Sequence, residues 1–142
     1  MKLLKLFLGL LLIAFCAQAL AQTNRGGTVM ASAARTATTT SGDISADVYR
    51  GIHLIVDVTA VPGVDTITPK IQGFDATSGK YYDILVGAAI SATGTTVLKV
   101  FPSIAPSANA SAQDLLPRVW RVVVTHSAGT SFTYSVGYNA DY

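Results

Sequence analysis

The sequence predicts an all-β protein: a single antiparallel β-sandwich of about seven strands, immunoglobulin-like or jelly-roll-like. Three observations carry that expectation. Residues 51–60, G-I-H-L-I-V-D-V-T-A, alternate strictly, with Ile52, Leu54, Val56 and Val58 against His53, Ile55, Asp57 and Thr59. That is the period-2 pattern of a strand with one buried face. Similar stretches recur along the chain with turn residues between them, at the spacing of an antiparallel sandwich or barrel. Finally, all eight acids are Asp and there is no Glu. Glu favours helices, whereas Asp favours turns and caps.

The first residues do not belong to this pattern. Lys2 and Lys5 precede an apolar run from Leu6 to Phe15, and Ala19-Leu20-Ala21 follows with small residues at both cleavage positions. This is the pattern of a secretory signal peptide over residues 1–21, too short for a comfortable span. A second cut after Ala19 and a retained N-terminal anchor are the alternatives. A lipoprotein reading fails because bulky Phe15 directly precedes Cys16. Cleavage after Ala21 removes Lys2, Lys5 and Cys16, leaving eight basic residues against eight Asp and no cysteine. Zero formal charge gives no reason to expect nucleic acid or an anionic membrane as partner. Without cysteine there is no disulfide and no thiolate chemistry, so packing must stabilise the fold.

Residues 22–41 are expected to form an N-terminal arm or edge strand, and residues 42–142 the sandwich. In the arm, Val29, Ala31 and Ala33 could face inward, though the segment is only weakly hydrophobic. Ser41-Gly42-Asp43 is a turn, and residues 44–49 suit either a helical turn or a short strand. The strand at 51–60 ends in a Pro62-Gly63 turn. Residues 66–74 alternate again, with Ile67 and Ile71 on one face; Pro69 there predicts an edge strand or a bulge. Asp75–Lys80 is a hairpin connection with Gly79 at its positive-φ position. Residues 81–86 and 95–101 are strands, with a turn at 91–94 between them. Residues 102–114 are rich in Pro, Ser, Ala and Asn, and read as a long crossing loop with room for one helical turn. Residues 118–126 and 131–138 close the chain as a hairpin, with Trp120, Val122 and Val124 on one face of the former and Phe132, Tyr134, Val136 and Tyr138 on one face of the latter. The predicted core is Ile52, Leu54, Val56, Val58, Ile71, Leu98, Val100, Trp120, Val122 and Val124.

No chemistry-bearing constellation stands out. His53 and His126 are the only histidines and have no clustered ligands, so a metal role is outweighed by a structural one. His53 and Asp57 share a face, as a triad would need, but no Gly-x-Ser-x-Gly elbow supplies a nucleophile. Asp75-Ala76-Thr77-Ser78-Gly79 lacks the alternating acids of a calcium loop and suits an Asp-started turn. Trp120, Tyr81, Tyr82, Tyr134, Tyr138 and Tyr142 could make a sugar-stacking platform, although aromatics alternating in strands more often form core or cross-strand pairs. Tyr81 and Tyr82 face opposite sides, so one of them should be exposed. Together with Arg35 they are the candidate ligand or partner contacts. The aromatic alternation toward Tyr142 also resembles a closing outer-membrane strand, but the strands are mostly too short for a barrel. No catalytic residue, metal site or cofactor is assigned.

Several segments resemble small, mostly uncharacterised proteins of tailed phages and prophages. They are A-S-A-A-R-T-A-T at 31–38, the strand at 51–60, I-Q-G-F-D-A-T-S-G-K-Y-Y at 71–82, T-G-T-T-V-L-K-V at 93–100, L-P-R-V-W-R-V at 116–122 and T-Y-S-V-G at 133–137. The resemblance spans nearly the whole expected mature chain in order. It implies a small virion-associated sandwich of the decoration or fibre type, and carries no catalytic residue. The expected leader departs from it, since virion proteins assemble without export. The reading that follows is a non-enzymatic assembly module, self-associating or packing onto a larger protein lattice. The alternative is an exported carbohydrate-binding or adhesion domain with glycans as ligand, and after that a small outer-membrane β-barrel.

Overall fold

The computed structural model describes residues 25–46, 48–61 and 63–141. The expected leader, the rest of the lead-in up to Asn24, and Tyr142 lie outside them. Ten strands are present among the described residues: β1 (Arg25–Arg35), β2 (Thr39–Thr40), β3 (Ile44–Ser45), β4 (Gly51–Ala60), β5 (Ile67–Asp75), β6 (Lys80–Val86), β7 (Gly94–Val100), β8 (Ser111–Ala112), β9 (Val119–His126) and β10 (Phe132–Asp141). Three of these are only two residues long, which leaves seven strands of seven residues or more. No helix occurs among the described residues. The ambiguous 44–49 segment therefore opens as a short strand, and the 102–114 loop carries β8 where a helical turn was allowed for.

One sheet runs β1-β10-β4-β7-β8, and the other β2-β9-β5-β6 with β3 also on β9. All pairs are antiparallel except β7 with β8. If β2 and β3 are taken as one interrupted strand, the pairing is nested. The first strand lies on the last (β1 on β10), the second on the next to last (β2 and β3 on β9), then β4 on β7 and β5 on β6. A long hairpin rolled up on itself gives this order, which is the winding of a jelly roll. The chain is thus an all-β sandwich, and of the two expected arrangements the pairing matches the jelly roll. Two open sheets also replace the barrel alternative.

The core is the inner face of both sheets. Each of the ten predicted core residues is at most 2% exposed. Ile52, Leu54, Val56 and Val58 of β4 meet Val136, Tyr134 and Ala140 from β10 and Leu98 and Val100 from β7. Removing each such side chain from water contributes about 1.5–3 kcal/mol. Trp120, Tyr134 and Phe132 are the largest fully buried side chains. Met30, Tyr49, Ile67, Leu85 and Leu116 complete the cluster from less regular positions.

Pro69 does not mark an edge. β5 lies between β9 and β6, so the expectation of an edge strand is corrected. The reason is local. Ile67 exchanges both backbone bonds with Ile90 on the β6 side, and the Pro69 carbonyl accepts from Gly87 on that same side (2.8 Å). Pro69 thus turns its missing N–H toward a stretch beyond the end of β6, where no ladder requires it. A bulge does occur in β5–β6, but at the step between Ile71 and Gln72, where Ile84 is the extra residue.

Candidate functional site

The chemistry-bearing side chains fall on two outer faces and one strand edge. On the outer face of the β9-β5-β6 sheet, Gln72 sits opposite Arg121 on one side and Asp83 on the other. Arg121 Nε donates to Gln72 Oε1 (2.9 Å), and Gln72 Nε2 donates to Asp83 Oδ1 (2.6 Å). Lys70 Nζ lies 3.3 Å from Asp83 Oδ2. The bond from Gln72, assisted by Lys70, holds the Asp83 carboxyl below its usual range despite some burial.

Tyr81 lies across this row. Its hydroxyl donates to Asp43 Oδ1 (2.6 Å), and the Arg121 guanidinium stacks 3.3 Å from its ring centroid. Phe74 packs beside it, with centroids 5.0 Å apart. Donating to a carboxylate pushes the Tyr81 phenol above its ordinary value. Tyr82, its neighbour, points to the other side and is 48% exposed. Its ring lies against Gly73, where an added Cβ would sit 2.6 Å from Tyr82 Cζ and 2.7 Å from Pro117. A side chain at position 73 would displace it.

Arg35 is used internally. Its Nη1 donates to the carbonyls of Ala33 (3.1 Å) and Tyr134 (2.7 Å), and Nη2 to that of Ala31 (2.7 Å). The β1–β10 register slips between Met30 and Ala33, so ladder bonds are lost there. The guanidinium fork substitutes for them, a geometry that Lys cannot reproduce. It also lies 4.6 Å over the Tyr134 ring. Next to it, His126 packs edge-on against Phe132 (5.7 Å) and reaches the Tyr134 hydroxyl (3.4 Å). Burial lowers the His126 pKa, and the Arg35 charge adds to that.

The remaining sequence candidates separate. His53 packs against Phe101 (5.3 Å, edge-on), whereas Asp57 accepts from Thr95 (3.3 Å). Asp75 accepts from the Thr77 and Ser78 amides and the Ser78 hydroxyl, with Gly79 at φ +68° closing the turn. These bonds lower the Asp75 pKa, the Ser78 hydroxyl most. The sugar platform is not assembled. Trp120 and Tyr134 are fully buried, and Tyr138 packs edge-on against Trp120 at 5.5 Å. Among the described residues, no three of His, Cys, Asp and Glu gather around one point. The Arg121–Gln72–Asp83 row went unseen in the sequence; its members are the outward residues of three alternating stretches, and only the register aligns them.

No family model matches the chain, and no curated protein matches it. Solved structures similar to it include the following two. One is the SPBc2 prophage-derived protein YomS, with a TM-score of 0.49, 10% identity, and 83% of this chain and 93% of that chain covered. The other is the structure of the infectious bursal disease virus Gx strain, with a TM-score of 0.48 and 14% identity over 82% of this chain. There the match spans 31% of the viral chain's length. The fold rests on the strand pairing itself, and these likenesses add no residue role.

Proposed function

We propose that this chain is a non-enzymatic assembly module of the phage virion-associated type, which joins copies of itself or a larger protein lattice through its sheet edges. The observation that carries this reading is that β1, without a charged residue from Gly26 to Ala34, lies at the end of a sheet with one side unpaired among the described residues. An unpaired edge is a template for strand addition unless it is short, charged or covered. The sequence resemblance to phage and prophage proteins and the jelly-roll winding, which viral capsid domains also use, support the same reading. The leader pattern would place the module at the periplasm or cell surface.

Light scattering during size-exclusion chromatography, on the chain starting at Gln22 and without detergent, tests it. A defined oligomer or open-ended assembly is expected. A strictly monomeric protein across the whole accessible concentration range overturns self-association. Glycan-dependent quenching of its tyrosine fluorescence would then favour a binding domain.

A further inference from the structure

β1 and β2 lie in different sheets, and residues 36–38 carry the chain from one to the other. His126, the last residue of β9, stands at this crossing. Its amide donates to the Thr38 hydroxyl (3.2 Å), and its Nε2 lies 3.4 Å from the Tyr134 hydroxyl. That hydroxyl also meets the hydroxyl of Thr39, at the start of β2. Arg35, at the end of β1, covers the ring of the same tyrosine and bonds its carbonyl. Tyr134 therefore joins the imidazole to both ends of the crossing.

The pocket around His126 suits a neutral ring. A protonated imidazole must donate from both nitrogens. Nδ1 is buried without a hydrogen-bond partner. Each neighbouring element adds little that would welcome a charge. β1 presents the Arg35 cation and β10 the Tyr134 phenol, whose pKa burial raises. Residues 36–41 and the turn at 127–130 carry no ionisable side chain, and Ile67 stands opposite on β5. Asp65 reaches that turn, where its carboxylate accepts from the Thr130 hydroxyl. Burial is the largest influence on the imidazole and favours its neutral form, as does Arg35; the Thr130 backbone opposes them.

We propose that His126 is an acid-sensitive latch: when its ring takes a proton, residues 31–41 lift away from β9 and β10 while both sheets stay paired. Protonation sets a second cation beside Arg35 and leaves a buried N–H without an acceptor, and lifting returns both cations to water. The stretch has little else to hold it. Residues 31–34, 36–38 and 40 are all exposed, so no core side chain has to leave. The latch is closed above about pH 6.5 and opens as pH falls through the lowered value. It is independent of the assembly reading.

Hydrogen exchange on the chain from Gln22, at about pH 7.5 and about pH 5 and corrected for the intrinsic pH dependence of exchange, tests it. Protection of the amides in 33–41 should fall roughly tenfold relative to β4, the equivalent of about one pKa unit. Ordinary carboxylates, with pKa values near about 4, stay charged over this interval. His126→Gln should remove the change. His53→Gln alters the other histidine, beside Asn139 at the far end of β10, and should leave the change intact. No fall in the native chain, an equal fall in His126→Gln, or a fall shared by β4 would each overturn the latch. If His126→Gln does not fold, the ring of His126 is titrated by NMR in the native chain. A midpoint below 6.5 that coincides with the loss of protection supports the latch, and any other midpoint overturns it.

Discussion

β4 and β1 flank the same strand, β10, yet they are held by opposite means. β4 follows β10 over nine paired positions with one slip at its end and buries four alternating side chains. β1 slips twice against the same partner, and of its described side chains Met30 is the one buried among the core. β4 is fixed by apolar burial, which also fixes its register, because a one-residue slip would turn Ile52, Leu54, Val56 and Val58 to solvent. β1 has little burial to lose. Its position depends on backbone bonds and on the Arg35 fork across three carbonyls. The strand that builds the core is therefore rigidly specified by burial, and the strand at the end of the sheet is specified by polar contacts.

The contrast can be tested most strongly in β4. Leu54→Ala leaves a cavity between two sheets and should cost about 2–5 kcal/mol in urea unfolding. A loss below 1 kcal/mol would mean that the β4 contacts are not the centre of the core. In β1, Arg35→Ala should cost about 1–2 kcal/mol, since several charge-assisted bonds are lost from a partly exposed side chain. Hydrogen exchange should quicken in 31–35 while β4 amides keep their protection, and Arg35→Lys should not restore it. Uniform loss of protection through β4 would erase the distinction between the two strands.

His126, beside the Arg35 contact, adds a pH dependence. Its folded pKa is depressed by burial below the ordinary 6.5. The unfolded chain therefore binds the proton first, and stability is fully present above about pH 6.5 and declines as pH falls toward the lowered value. His126→Gln should flatten that decline; an unchanged profile would assign it to other groups. The smallest effect belongs to the outer network. Asp43→Ala should bring the Tyr81 phenol back down toward 10 in an ultraviolet titration, without moving the urea midpoint. A phenol that stays high would mean Asp43 is not its acceptor in solution.

The alternation of residues 51–60, 95–101 and 118–126 made the core legible, because a period of two leaves a residue with a single face to occupy. The same rule separated Tyr81 from Tyr82. It failed where burial does not follow alternation. Tyr49, Met30 and Leu116 enter the core from a bend, a bulged strand and a loop, where the chain path decides what faces inward. Pro69 misled because its missing N–H matters only relative to where β6 stops. Arg35 was legible as a charge in a small-residue segment, but its role depends on a register slip that no local pattern announces.

By itself, the sequence determined strand periodicity, turn positions and the apolar face of each long strand, since these follow from neighbours a few residues apart. The tertiary structure alone decided the nested pairing, the covering of β7 by β8, the placing of β1 and β6 at the sheet ends, and the alignment of Arg121, Gln72 and Asp83. These join residues that are distant in sequence, and the free energy that selects among such pairings comes from burying both sheets at once.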